Sequence, residues 1–180
     1  MAKSDSFRQE KYNIPTISDV YSLMIRKKPI TKEAALLRMA DLCARGEHCS
    51  FEIREKLRKM LLPVASVEEI ISYLESNRYI DDSRFAHAFA RDKVRFSGWG
   101  RNKIRMALAM KRIPASDIRN ALDDIDTEEY QKALSRAAQA KAKGLDLTDY
   151  NDKAKLFRHL ASRGFEAAAI SKAVKEIQEN

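Results

Sequence analysis

One pattern restricts the fold of this chain more than any other: its apolar positions repeat. Ile104, Leu108, Ile118 and Leu122 recur as Leu156, Leu160, Ile170 and Val174, each displaced by 52 residues. Ile53 and Leu57 stand 51 residues before Ile104 and Leu108. Ile70 and Leu74 stand 48 before Ile118 and Leu122, the first unit carrying three extra residues around Pro63. Three copies of one apolar frame mean three copies of one packing unit. A unit of about 45–50 residues buries little core alone, so neighbours must pack on one another.

The units are helical. Only five glycines occur in 180 residues, and no stretch shows strand alternation between turn signals. In the first unit, Thr31 is expected to cap a helix over 31–45, with Leu36, Leu37, Ala40 and Cys43 or Ala44 inward and a stop at Gly46. Ser50 caps 51–61, with Ile53, Leu57 and Met60 or Leu61 inward, and Pro63 ends it; Ser66 caps 67–76, with Ile70, Ile71 and Leu74 inward. In the second unit, Asp81 or Asp82 caps 82–96, Gly98-Trp99-Gly100 breaks the chain, 101–111 follows, and Ser116 caps 116–123. The third holds helices over 127–143, 149–162 and about 166–178, with stops at Gly144 and Gly164. The expected architecture is all-α: an elongated, curved tandem array of three three-helix, helix-turn-helix-like modules over 31–78, 79–123 and 124–180. Residues 1–30 form an N-terminal extension, loose over its first dozen residues, with a short helix over 16–25. The acidic run Asp123-Asp124-Ile125-Asp126 is the expected flexible joint before the third module.

Charge singles out the middle module. Residues 84–112 carry nine Lys/Arg and one acid, a surplus of eight that equals the net charge of the whole chain. On a helical wheel Phe85, Phe89 and Phe96 lie within about 40° and read as core. Arg84, Arg91 and Arg95 share another face of the same helix. Arg101, Arg105 and Arg112 also fall within about 40°, beside the Ile104/Leu108 stripe, with Lys103 in the same helix. Two ridges with almost no local acid to pair with form a surface for an acidic partner. Trp99, the only tryptophan, either plugs the junction between helices or stands exposed as an anchor or base-stacking platform. Asp81 and Asp82 read as capping acids at a helix N-terminus, not as a catalytic pair.

Little else carries chemistry. There is no GxxxxGK, GxGxxG, HExxH or CxxC, and no Ser or Cys nucleophile sits beside a local base. His48, His87 and His159 are scattered, and Cys43, His48 and Cys49 lack zinc spacing, so no metal or cofactor is expected. Cys43 reads as core and Cys49 as part of a turn. No apolar run approaches the roughly 20 residues of a membrane span, and MAKSDSFRQEKYNIP has no apolar leader segment. With only two cysteines, the chain reads as a cytoplasmic binding protein, a monomer without a coiled-coil seam and without a small-molecule substrate.

Tyr79-Ile80-Asp81-Asp82-Ser83-Arg84-Phe85-Ala86 resembles a signature of the bacterial RecX regulatory proteins, and Gly98-Trp99-Gly100-Arg101-x-x-Ile104-x-x-x-Leu108 resembles the next segment of that family. Ala35 to Leu57 resembles its first module, and the likeness covers about residues 31–178. Two positions depart from it. Arg78 stands where the motif has glycine, and Arg112 stands at the position matched by Gly164 in the third module, so that helix end is expected to be shaped differently. The resemblance implies tandem three-helix modules and a cytoplasmic modulator of the recombinase RecA. Such a modulator lodges in the groove of the RecA–DNA filament and usually inhibits ATP hydrolysis, strand exchange and filament growth in recombination, DNA repair and the SOS response. It implies no catalytic site. On this reading Arg84, Arg91, Arg95, Arg101, Lys103, Arg105, Arg112 and Trp99 face the RecA filament and, more weakly or indirectly, single- or double-stranded DNA, while Asp81, Asp82, Phe85, Gly98, Ile104 and Leu108 hold the motif's shape. The competing readings are a stand-alone DNA-binding protein whose recognition helix presents Arg101, Asn102 and Arg105, and a helical scaffold for another acidic protein.

Overall fold

The computed structural model describes Thr16 and residues 30–179; apart from Thr16, the helix expected over 16–25 and the loose N-terminus lie outside the described residues. Among those residues are nine α-helices and no strand. They are α1 (Lys32–Ala44), α2 (Ser50–Arg58), α3 (Val64–Ser76), α4 (Asp82–Ser97), α5 (Arg101–Met110), α6 (Ala115–Asp123), α7 (Thr127–Ala142), α8 (Tyr150–Ser162) and α9 (Ala167–Gln178). The chain is a tandem array of three three-helix modules. None of the described helices is long and apolar enough to cross a membrane.

The repeated apolar frame is the core. Ile53, Leu57, Ile70, Leu74, Ile104, Leu108, Leu156, Leu160 and Ile170 are all fully buried. The buried residues form two clusters. Module 1 has its own, built on Ala35, Met39 and the α2 and α3 stripes, while modules 2 and 3 share one that runs from Phe85 to Ala173 and takes in Cys49 of module 1. The expected joint is therefore not flexible. Ile125 is buried in the shared core, and the Asp126 carboxylate accepts the Glu129 amide at 2.7 Å, capping α7.

Helix interiors follow the sequence pattern more closely than helix ends do. Thr31 caps α1 as expected, its hydroxyl accepting the Ala34 amide at 3.2 Å. α3 and α6 begin before Ser66 and Ser116, with Pro63 and Pro114 in extended conformation as the N-cap residues. A proline ring fixes φ and lacks an N–H, which suits a position where no helical donor is needed. α2 starts at Ser50 with Cys49 as its N-cap residue, and Cys49 is wholly buried in the larger core instead of sitting in an open turn. Burial pushes its thiol above the ordinary cysteine value. α1 meets the expected register in part: Leu36, Ala40 and Cys43 pack, partly buried, against the module 1 core. Ala35 and Met39 are buried and Leu37 is 71% exposed.

The turn from second to third helix is the same in all three modules. Leu61, Arg112 and Gly164 occupy equivalent places, and all three are left-handed, with φ of 58°, 59° and 90°. Arg112 does not reshape the helix end. It adopts the glycine conformation, and Arg78, where the motif has glycine, does so too, at φ 57°.

Candidate functional site

The motif-bearing segment lies between two seams, and four of its nine cations, Arg84, Arg101, Lys111 and Arg112, are used there. At the first seam the paired aspartates cap different helices. The Asp81 carboxylate accepts the Arg84 amide at 2.9 Å and caps α4. The Asp82 carboxylate accepts the Ser50 amide and the Ser50 hydroxyl, each at 2.7 Å, and so caps α2 of module 1. Arg84 pairs with Glu47 at 2.8 Å and also donates to the Arg78 carbonyl. Lys111 pairs with Glu52, whose second oxygen meets His48 Nδ1 at 3.0 Å. Burial alone would raise the Glu52 pKa, but the hydrogen bonds from Lys111 and His48 outweigh it and hold the carboxyl below its ordinary value. The Arg112 guanidinium packs over the Phe51 ring, 5.2 Å from its centroid.

The second seam uses Gly98-Trp99-Gly100. Gly98 ends α4 in the left-handed region, at φ 59°. Gly100 is buried against the turn after α8, where its amide donates to the Arg163 carbonyl at 2.8 Å and the Asn102 amide donates to the Gly164 carbonyl at 3.0 Å. An added Cβ on Gly100 would overlap the Gly164 carbonyl carbon and the Phe165 nitrogen, so only glycine permits this approach. The Arg101 amide donates to Tyr130 Oη at 3.2 Å; the Arg101 guanidinium lies 4.0 Å from the Tyr130 ring centroid and pairs with Glu166 at 3.6 Å. Tyr130 Oη itself donates to Glu166.

Ser50 and Arg101, 51 residues apart in the repeat, thus have the same arrangement. The amide at the start of a module's second helix is met by a side chain from the first helix of the next module, Asp82 in one case and Tyr130 in the other. The third module supplies its own. The Asp149 carboxylate accepts the Asp152 amide at 3.0 Å.

Trp99 is half-buried at the junction. It packs edge-on to Phe89, with ring centroids 6.4 Å apart, and the Lys93 and Lys103 ammonium groups stand 5.1 and 4.6 Å from its centroid. Phe85 and Phe89 join the core, but Phe96 does not; it is 76% exposed, with the Arg95 guanidinium 5.5 Å from its ring centroid. The buried stripe of α4 is Phe85, Ala86, Ala90 and Val94, so Phe96 falls at its edge, beyond the last buried turn.

The expected basic residues therefore divide into three groups. Arg84, Arg101 and Arg112 are built into seams, and Lys103 covers Trp99. Arg91, Arg95 and Arg105 are exposed and, among the described residues, pair with no carboxylate, although Arg105 donates to Asn102 Oδ1 at 2.7 Å. Sequence reasoning found the surplus but missed the partners Glu47, Glu52, Tyr130 and Glu166, which lie in neighbouring modules. The one signal for them was the 51-residue offset between Ser50 and Arg101, which marks both as seam positions.

Comparisons with known proteins agree with this architecture. Residues 81–122 match the family model for the second three-helix domain of RecX, and 127–174 match that for the third. A regulatory protein RecX of Vibrio parahaemolyticus is 31% identical over 144 residues, covering 80% of this chain and 89% of the relative. One from Acinetobacter baylyi is 33% identical over 141 residues, covering 77% and 84%. Among solved structures, the crystal structure of RecX from Lactobacillus salivarius superposes with a TM-score of 0.73 at 20% identity, covering 83% of this chain and 97% of that one. A second, the crystal structure of regulatory protein RecX, gives a TM-score of 0.70 at 22% identity, over 88% and 77%.

Proposed function

The chain belongs to the RecX family, and on that premise we propose that it regulates the recombinase RecA in the cytoplasm. It binds the RecA–DNA filament as a monomer and, without catalysis of its own, restrains ATP hydrolysis, strand exchange and filament growth in recombination, DNA repair and the SOS response. The observation that carries the interface assignment is the division of charge. With Arg84, Arg101 and Arg112 engaged in seams, the arginines of residues 84–112 left for an acidic filament surface or for DNA phosphate are Arg91, Arg95 and Arg105. Contact with phosphate makes affinity fall steeply with salt, through counterion release.

The rival reading, a recognition helix reading base edges, needs an open first turn on α5. That turn is partly taken up by module 3, while the Asn102 and Arg105 side chains stay exposed. Gly100 is buried, the Arg101 and Asn102 amides are hydrogen-bonded to module 3, and the Arg101 side chain lies on Tyr130.

The test is binding to RecA filaments on single-stranded DNA, read alongside RecA ATP hydrolysis. R91E/R95E is expected to weaken both binding and inhibition at least tenfold. K172E/K175E, on the exposed side of α9, is expected to change them little. Equal losses in the two variants would remove the assignment to α4, and a wild-type chain with no effect on RecA would remove the function.

A further inference from the structure

A second basic surface lies at a place the charge count along the sequence does not mark. The C-terminal end of α4, one face of α7 and the end of α8 enclose a cleft of about 580 Å³, lined by Arg95, Phe96, Arg136, Lys141, His159 and Arg163 among others. The volume is in the range of small-ligand sites. Its lining has four permanent cations and no acid. Among the described residues no carboxylate pairs with Arg95, Arg136, Lys141 or Arg163, whereas Arg84 and Arg101 are each paired with a glutamate. Arg163 is held in place, donating from Nε to His159 Nε2 at 3.3 Å and from Nη1 to the Ser97 carbonyl at 3.2 Å. Ala133, Ala137 and Ala140 follow one face of α7 between the two longer cations, and these small side chains leave the cleft open. At its rim stands Phe96, 76% exposed.

Unpaired cations around a cavity call for an anion, and an exposed aromatic ring beside them calls for a flat apolar partner. A nucleotide in a single strand offers both: phosphate for Arg136, Lys141 and Arg163, and a base face for Phe96. A duplex offers its phosphates but keeps its base faces stacked. We propose that this cleft is a binding site for single-stranded nucleic acid, with the backbone running along α7 and a base on Phe96. The site is separate from the α4 and α5 residues proposed to meet the filament, except for Arg95, and it binds a strand in the absence of RecA.

The experiment is fluorescence anisotropy of a labelled oligothymidylate titrated with the full chain, without RecA, at several salt concentrations. R136E/K141E is expected to weaken binding at least tenfold. The slope of log affinity on log salt should fall by about 1.4, the contribution of two single-strand phosphates. F96A is expected to weaken binding about tenfold on the intact strand and not at all on one carrying abasic sites. These side chains are exposed, and circular dichroism verifies that each variant is folded. Unchanged binding in R136E/K141E, or an equal loss in K172E/K175E, overturns the site. Loss in R136E/K141E with no effect of F96A and equal affinity for duplex overturns the single-strand assignment. Because RecA is absent, neither result depends on the regulatory function.

Discussion

Leu61, Arg112 and Gly164 share one backbone conformation but not one side chain. A non-glycine residue in the left-handed region costs roughly 1 kcal/mol. Gly164 has a further reason to be glycine, because a Cβ there would overlap the backbone of Lys103 across the seam. Leu61 has no such neighbour to satisfy and is 89% exposed, so its side chain returns little for the strain. Leu61→Gly is therefore expected to stabilise the chain by up to about 1 kcal/mol, a rise in Tm of roughly 2–4 °C on thermal unfolding. Arg112 is a poorer target, since its guanidinium packs over Phe51. None of this was legible from composition. The repeat offset identified the equivalent positions, but only backbone angles show that arginine and leucine tolerate what glycine does freely.

At the scale of the helix, α2 shows how an element depends on its neighbours. Its first turn is capped from α4 by Asp82, and its Glu52 is held by Lys111 just after α5. Because the folded-state pKa of Glu52 lies below its ordinary 4.5, the carboxylate contributes stability that is fully present above about pH 4.5 and is lost as pH falls through the folded value. Glu52→Gln should cost about 1–2 kcal/mol at pH 7 and flatten the loss of stability below pH 4.5 in denaturant titrations. The helix interiors were legible because a 3.6-residue period is a property of the local chain. The ends were not, because the groups that satisfy them come from elsewhere. Serines 66 and 116 looked like caps, yet Pro63 and Pro114 start the helices, and Cys49 needs no side-chain cap when Asp82 arrives from another module. The candidate site divides the same way. Its positive surplus could be counted in one stretch, but Glu47, Glu52 and Glu166 sit 37, 59 and 65 residues from the cations they meet.

For the whole molecule, two cores in three modules set the units of opening. Modules 2 and 3 share one cluster, tied by Gly100, Tyr130 and Arg163, whereas module 1 has its own and meets the rest through Cys49, Phe51 and the Asp82 cap. Native-state hydrogen exchange should show residues 82–178 protected as one cooperative unit and 32–76 opening at a lower free energy. A single uniform unit would show that the first seam is as strong as the second. The rule that joins the seams also gives the array a direction in time. A chain made from its N-terminus completes each of its first two modules only after part of the next has left the ribosome. The Ser50 amide must await Asp82, 32 residues later, and the Arg101 amide must await Tyr130, 29 residues later. At ordinary rates of synthesis that is a delay on the order of seconds, during which the newest second helix is unfinished at its start. The third module has no such interval, since the Asp149 carboxylate that caps α8 lies three residues from the amide it serves.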